Sequence, residues 1–267
     1  MRFDAATTDN PLIVRLAAGE TVLCMAIRIS RLPHVVHIAR AAGFDAIYVD
    51  MEHSAISMED ASHLCLMAWS IGIAPLVRVP SHDRNVISRT LEGGAVGIIA
   101  PHVDTPEEAA AIVAAACFPP LGHRALAGAG IVTGYGTMGP DEAARRLNNR
   151  TLVIVMLESE QAIANAEAIA AVAGVDMLFI GAGDLMNDLG IVGKPEHPKI
   201  MAAFERAAAA CRRHGVALGV AGIKGESPLM GQLHRLGARF LSTRNDEALL
   251  AKAAQDEVKS MRRSFAS

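Results

Sequence analysis

The chain has 267 residues, 51% of them apolar, and a formal charge of −3. No Lys/Arg run or aromatic ladder accompanies its one Trp and two Tyr, which argues against nucleic-acid binding. No run approaches the roughly 20 apolar residues needed to span a bilayer, and no export segment opens the sequence, so the expectation is a cytoplasmic protein with small-molecule partners. The cysteines Cys24, Cys65, Cys117 and Cys211 lie far apart in apolar surroundings and read as buried, reduced thiols.

Short apolar runs alternate with helical patterns along the whole chain. Strands are predicted over Thr21 to Ile27, Asp45 to Val49, Ala74 to Val77, Gly94 to Ala100, Leu152 to Leu157, Met177 to Ile180, Val216 to Val220 and Ala238 to Leu241. Helices are predicted over Leu32 to Ala42, Met58 to Ile71, Arg84 to Glu92, Pro106 to Ala116, Glu160 to Ala173, His197 to His214 and Ser227 to Leu236. Start signals such as Ser57 before Glu59-Asp60 and Thr105 before Pro106-Glu107-Glu108, and closing glycines such as Gly43 and Gly215, support these bounds. Eight strand–helix alternations fit an α/β fold of the (β/α)8 TIM-barrel type, with residues 1–267 as a single domain. A Gly/Pro-rich insert at about 118–149 breaks the rhythm; it is expected to fold over the barrel mouth or against a neighbouring subunit.

In such a barrel the site lies at the C-terminal ends of the strands. Glu158 follows the fifth run; Asp184 follows the sixth and the small turn Gly181-Ala182-Gly183. Either carboxylate alone reads as a helix N-terminal residue stabilised by the dipole. As a pair on adjacent strands they suit Mg²⁺ or Mn²⁺, hard cations that prefer oxygen ligands. Asp50-Met51-Glu52-His53 closes the second strand; His53 is a candidate acid/base with carboxylate neighbours, or an incidental turn histidine. Arg78 ends the third strand, where its fork suits a carboxylate or enolate oxygen, or an ion pair with Asp50 or Glu52. Both Gly181-Ala182-Gly183 and Gly128-Ala129-Gly130 fail the dinucleotide fingerprint, at Met186 and Thr133, and the former reads as a wall that lets an anionic ligand approach backbone N–H groups. His34 and His37 have a metal-pair spacing without a third ligand and read as ordinary helix residues.

At these residues the chain resembles the HpcH/HpaI aldolases, metal-dependent pyruvate aldolases typified by 4-hydroxy-2-oxoheptanedioate aldolase. The matching segments are Ala42 to Asp45, Asp50 to His53, Pro75 to Arg78, Phe118 to Arg124, Leu157-Glu158-Ser159, Phe179 to Leu185, Leu189-Gly190 and His197-Pro198. The resemblance implies a phosphoenolpyruvate/pyruvate-binding barrel that cleaves a 4-hydroxy-2-oxo acid to pyruvate and an aldehyde, of the kind used in aromatic compound catabolism. It implies that Glu158 and Asp184 bind a divalent metal (Mg²⁺ or Mn²⁺, with Co²⁺ a further option). Arg78 would contact the pyruvate oxygen, and His53 would transfer protons, oriented by Asp50. Glu92 stands where the family supplies an Asp from an adjacent subunit of a hexamer. The chain departs from the usual pattern at Met51, Met156, Ala182-Gly183, Met186 and Arg244-Asn245-Asp246, which bears on the aldehyde half. The alternatives are a citrate lyase or malyl-CoA lyase-like enzyme acting on an acyl-CoA, and a non-catalytic barrel that binds a 2-oxo acid. No lysine ends a predicted strand, which argues against Schiff-base chemistry.

Overall fold

The computed structural model describes residues 3, 5–127, 130–136 and 138–265. Eight strands form a closed parallel barrel: β1 (Val22–Ile27), β2 (Ala46–Asp50), β3 (Ala74–Arg78), β4 (Gly97–Ala100), β5 (Leu152–Leu157), β6 (Met177–Gly181), β7 (Ala217–Ala221) and β8 (Ala238–Asn245). They pair in sequence order and β8 returns to β1, with Val22 opposite Phe240. The helices are α1 (Pro11–Ala17), α2 (His34–Ala41), α3 (Met58–Ser70), α4 (Arg84–Glu92), α5 (Pro106–Ala116), α6 (Pro140–Asn148), α7 (Glu160–Ala164), α8 (Ala166–Ala170), α9 (Ala182–Asp188), α10 (Pro198–His214), α11 (Pro228–Leu236) and α12 (Asp246–Phe265).

The two-residue period of a strand decides which side chains reach the interior. Ala46 and Tyr48, Ala74 and Leu76, Leu152, Ile154 and Met156, and Met177 and Phe179 belong to the inner core. Ile47, Val49, Val77, Val153, Val155 and Leu157 belong to the layer beneath the helices. The inner phase, carried forward, sends Asp50, Arg78, Glu158 and Gly181 into the mouth. Phe179 fills the centre, edge-on to Phe240 at 5.3 Å and to Tyr48 at 6.5 Å. At the opposite end α1 acts as a plug: Leu12, Ile13 and Leu16 are buried in the inner core. Asn10 caps that helix through Oδ1 and donates from Nδ2 to the Arg150 carbonyl at 2.7 Å.

Several expectations change. The described residues of 118–149 do not line the mouth. The segment joins the end of α5 to the start of β5, and helices return the chain to the N-terminal end of the barrel. Its described residues pack outside and at that end: Phe118 N–H donates to Asn148 Oδ1 at 2.8 Å, and Arg150 Nη1 donates to the Val132 carbonyl at 2.5 Å. Its last third is α6; Gly128 and Ala129 lie outside the described residues. The helix expected over Glu160 to Ala173 divides at Asn165, whose side chain is drawn to the Asp104 carbonyl at 2.7 Å. Gly181 belongs to β6, while Ala182, Gly183 and Asp184 form the first turn of α9 rather than a loop. The eighth strand runs four residues further than expected, to Asn245, and carries Ser242 to Asn245 to the mouth. The four cysteines are free, buried thiols, and burial pushes Cys65 and Cys211 up to about 12. His34 and His37 lie on the exposed face of α2. Among the described residues no helix is long and apolar enough to cross a membrane.

Candidate active site

A cavity of about 750 Å³ opens at the C-terminal ends of the strands. Its lining includes His53, Arg78, Met156, Glu158, Asp184 and Arg28. Residues of β8 and of α12, which stands beside the mouth, complete its rim.

The floor is organised by Asp50, which is fully buried and directly opposite Arg78 in the β2–β3 register. Arg78 donates to it from Nε at 2.9 Å and from Nη2 at 2.5 Å, a two-pronged pairing that fixes the plane of the guanidinium. Arg28 Nε donates to the same carboxylate at 2.8 Å. Burial alone would raise the Asp50 carboxyl, but the Arg78 hydrogen bonds and charge, with the His53 N–H and Arg28, hold it below its ordinary value. Burial likewise works against the charge of Arg78, and Asp50 outweighs it, so the guanidinium stays cationic. Tyr48 places its ring 5.9 Å from Arg78 Cζ, and burial pushes its hydroxyl up to about 12.

Asp50 does not orient the His53 ring as expected. Its Oδ1 accepts from the backbone N–H groups of Glu52 at 3.2 Å and His53 at 3.1 Å, so it shapes the turn that carries them. The carboxylate beside the imidazole is Glu52, with Oε2 3.6 Å from His53 Nε2. The same oxygen lies 2.9 Å from Arg78 Nη1, an ion pair without hydrogen-bond alignment. The other Glu52 oxygen lies 2.9 Å from His102 Nε2.

His102 was not among the sequence candidates, although its place just after β4 marked the end of a strand. Its backbone takes the left-handed conformation, with φ at 51°, uncommon for a residue other than glycine. In that turn its N–H donates to Glu158 Oε2 at 3.0 Å while its ring Nδ1 lies 3.3 Å from the same oxygen. One residue thus ties Glu52, on the His53 side, to Glu158.

Glu158 and Asp184 line the same cavity from β5 and α9. Burial pushes the Glu158 carboxyl up to about 7; the Asp184 charge adds to this, and His102 and Arg78 oppose it. Its Oε1 is buried and accepts no hydrogen bond. A buried carboxylate oxygen without a donor is costly unless a cation meets it. Gly181 leaves the space that this side chain occupies, since a Cβ there would stand 2.8 Å from Glu158 Cγ and closer to Oε1. Among the described residues no three His, Cys, Asp or Glu side chains form a ready metal cluster. Two carboxylates suit an ion such as Mg²⁺, which takes one or two and leaves its other positions to substrate and water. The donor set therefore fits a hard divalent cation.

Glu92 stands apart from the other candidates. It ends α4 beside Met58, Ser62 and His63, where Ser88 Oγ donates to it at 3.2 Å, and it does not line the mouth. The family resemblance implies that it acts from an adjacent subunit.

A model of the HpcH/HpaI aldolase/citrate lyase family matches residues 28–243. A 4-hydroxy-4-methyl-2-oxoglutarate aldolase of Hapsidospora irregularis is 39% identical over 251 residues, 93% of each chain. A hydroxypyruvate/pyruvate aldolase of Sagittula stellata is 33% identical over 220 residues, 82% of this chain and 85% of the relative. The crystal structure of an HpcH/HpaI aldolase from Desulfitobacterium hafniense aligns with a TM-score of 0.89 at 33% identity, covering 94% of this chain and 96% of that one. With its barrel and rim residues now placed, the chain belongs to the HpcH/HpaI aldolase/citrate lyase family.

Proposed function

We propose that this chain is a metal-dependent aldolase that reversibly cleaves a 4-hydroxy-2-oxo acid to pyruvate and an aldehyde or other carbonyl compound. The family match and the hydroxy-oxo-acid aldolases among its relatives support the reaction class. The observation that carries the metal requirement is the buried, unpaired Oε1 of Glu158, in the cavity it shares with Asp184.

Glu158 and Asp184 would hold Mg²⁺ or Mn²⁺, which when bound supplies Lewis-acid polarisation of the keto acid. Arg78, fixed by Asp50, presents its remaining donors to the oxygen that gains charge as the enolate forms; a well-placed donor of this kind is typically worth about 3 kcal/mol. Gly181, Ala182 and Gly183 form the facing wall, and a Cβ on Gly183 would meet only open space, so the keto acid has room beside the backbone there. His53, half exposed beside Glu52, takes the C4 hydroxyl proton as the C3–C4 bond breaks. The bonding pair passes to the enolate, C4 becomes the carbonyl carbon, and protonation at C3 releases pyruvate. The family also implies a hexamer, in which Glu92 would act only from a neighbouring copy.

The test is exchange of pyruvate methyl protons with solvent deuterium, together with retro-aldol turnover, with and without chelator. Both are expected to vanish on chelation, to return with Mg²⁺ or Mn²⁺, and to be lost in Glu158→Ala. Full turnover in the chelated protein and in the variant would eliminate this reading.

A further inference from the structure

The mouth holds a second guanidinium that the reaction above does not use. Arg28 leaves the end of β1 and is fixed at both ends. The Asp246 carboxylate accepts from the backbone N–H groups of Arg28 at 2.8 Å and Ser30 at 2.9 Å. At the far end of the side chain, Nε is held by Asp50. Its two terminal nitrogens meet no acceptor among the described residues, and the side chain is 27% exposed to the cavity that holds Glu158, Asp184 and Arg78.

The other cations of the mouth differ. Arg78 is only 7% exposed and is engaged by Asp50 and Glu52. Arg244 is paired with Glu226 at 2.6 Å and Lys252 with Asp256 at 2.7 Å. Lys224 and Lys259 also line the rim, but both are exposed, with Glu226 and Asp256 as their respective carboxylate neighbours. Arg28 is thus a preorganised fork with unused donors, the geometry that recognises a carboxylate through paired hydrogen bonds. A cavity of about 750 Å³ leaves ample space beyond a three-carbon keto acid for a second charged group.

We propose that Arg28 is the docking group for a carboxylate on the carbonyl partner, so that the preferred partner of pyruvate is itself an oxo acid or an aldehyde acid. This rests on the aldolase reading and adds the chemical class of the second half-substrate and the residue that selects it. Arg28 acts on the partner, and it reaches the enolate machinery only through Asp50, the carboxylate it shares with Arg78.

The experiment compares pyruvate addition to glyoxylate, to a second pyruvate and to the neutral glycolaldehyde, using the Mg²⁺-loaded protein and its Arg28→Met and Arg28→Lys variants. Wild type is expected to favour the carboxylated partners in kcat/KM. Arg28→Met should lose about tenfold to a hundredfold with them, as removal of a charged hydrogen bond does, chiefly in KM. The loss with glycolaldehyde should be at least tenfold smaller, and Arg28→Lys should recover part of the difference. Equal losses with charged and neutral partners would reveal only a scaffold for Asp50 and overturn the proposal, as would an undiminished kcat/KM for glyoxylate. Failure of the aldolase reading is distinct: wild type would then neither exchange pyruvate methyl protons nor form any carbon–carbon product, and the proposal would fall with it.

Discussion

Glu158 and Gly181 face each other across the β5–β6 seam so closely that a Cβ on the glycine would stand 2.8 Å from Glu158 Cγ. The backbone of Gly181, with φ −83° and ψ 86°, does not itself require glycine. The requirement comes from the carboxylate, so the residue is small for the sake of the site. Gly181→Ala is expected to push Glu158 off its perch and sharply weaken Mg²⁺-dependent turnover. The cost in stability should be that of overpacking, about 1–3 kcal/mol. Urea unfolding beside a Mg²⁺ titration of activity checks both, and an unchanged Mg²⁺ midpoint would refute the account.

Asp50 neutralises part of the charge of two guanidiniums in a site with no exposure to solvent. Removing one partner of a buried pair leaves the other uncompensated, at about 3–5 kcal/mol. Asp50→Asn should therefore destabilise the fold by roughly that amount. The pH dependence has a definite sign. A carboxyl lowered in the folded state contributes stability above its unfolded value, near 3.9, and loses it as pH falls through the folded value. Below about pH 4, wild type should lose urea resistance more steeply than Asp50→Asn; parallel curves would remove Asp50 as the source.

His102 joins two carboxylates that come from different strands, and Asn is among the few residues that tolerate its left-handed backbone. His102→Asn should keep the turn and the N–H on Glu158 while losing the imidazole bridge. Groups that orient metal-binding carboxylates typically govern affinity by about 10- to 100-fold. The Mg²⁺ midpoint of activity should rise within that range with little change in thermal unfolding. A large fall in Tm at an unchanged midpoint would make the residue merely structural.

The barrel was legible because each strand is a short apolar run bounded by caps and glycines, and the inner phase of each run points to Asp50, Arg78 and Glu158 without coordinates. Glu52 was legible beside His53 and as a partner for Arg78, whereas Arg28 and His102 gain their meaning from contacts across β1–β2, β2–β4 and β4–β5, which no local pattern carries. The helix α9 is hidden by its glycine, and α12 by an apolar stripe with little to pack against here, since Leu250, Val258, Met261 and Phe265 are exposed. The described part of the 118–149 insert lies off the mouth for a topological reason. A segment that follows a helix and precedes a strand begins on the far side of the barrel from the active site.

Glu158 gives the last prediction its direction. Burial, reinforced by Asp184, lifts its carboxyl to about 7, so the folded chain without metal binds this proton more tightly than the unfolded chain. A carboxyl raised in this way contributes stability below its unfolded value, near 4.3, and loses it as pH climbs to about 7. The metal-free protein should accordingly weaken over that window, and Glu158→Gln should flatten the decline. A divalent cation competes with the proton for the same oxygens, so its stabilising effect grows as the proton leaves. Thermal unfolding at saturating Mg²⁺ is expected to show a larger gain in Tm at pH 8 than at pH 5, and Glu158→Gln should lose most of that difference. An equal gain at both values in wild type would place the cation somewhere other than on Glu158.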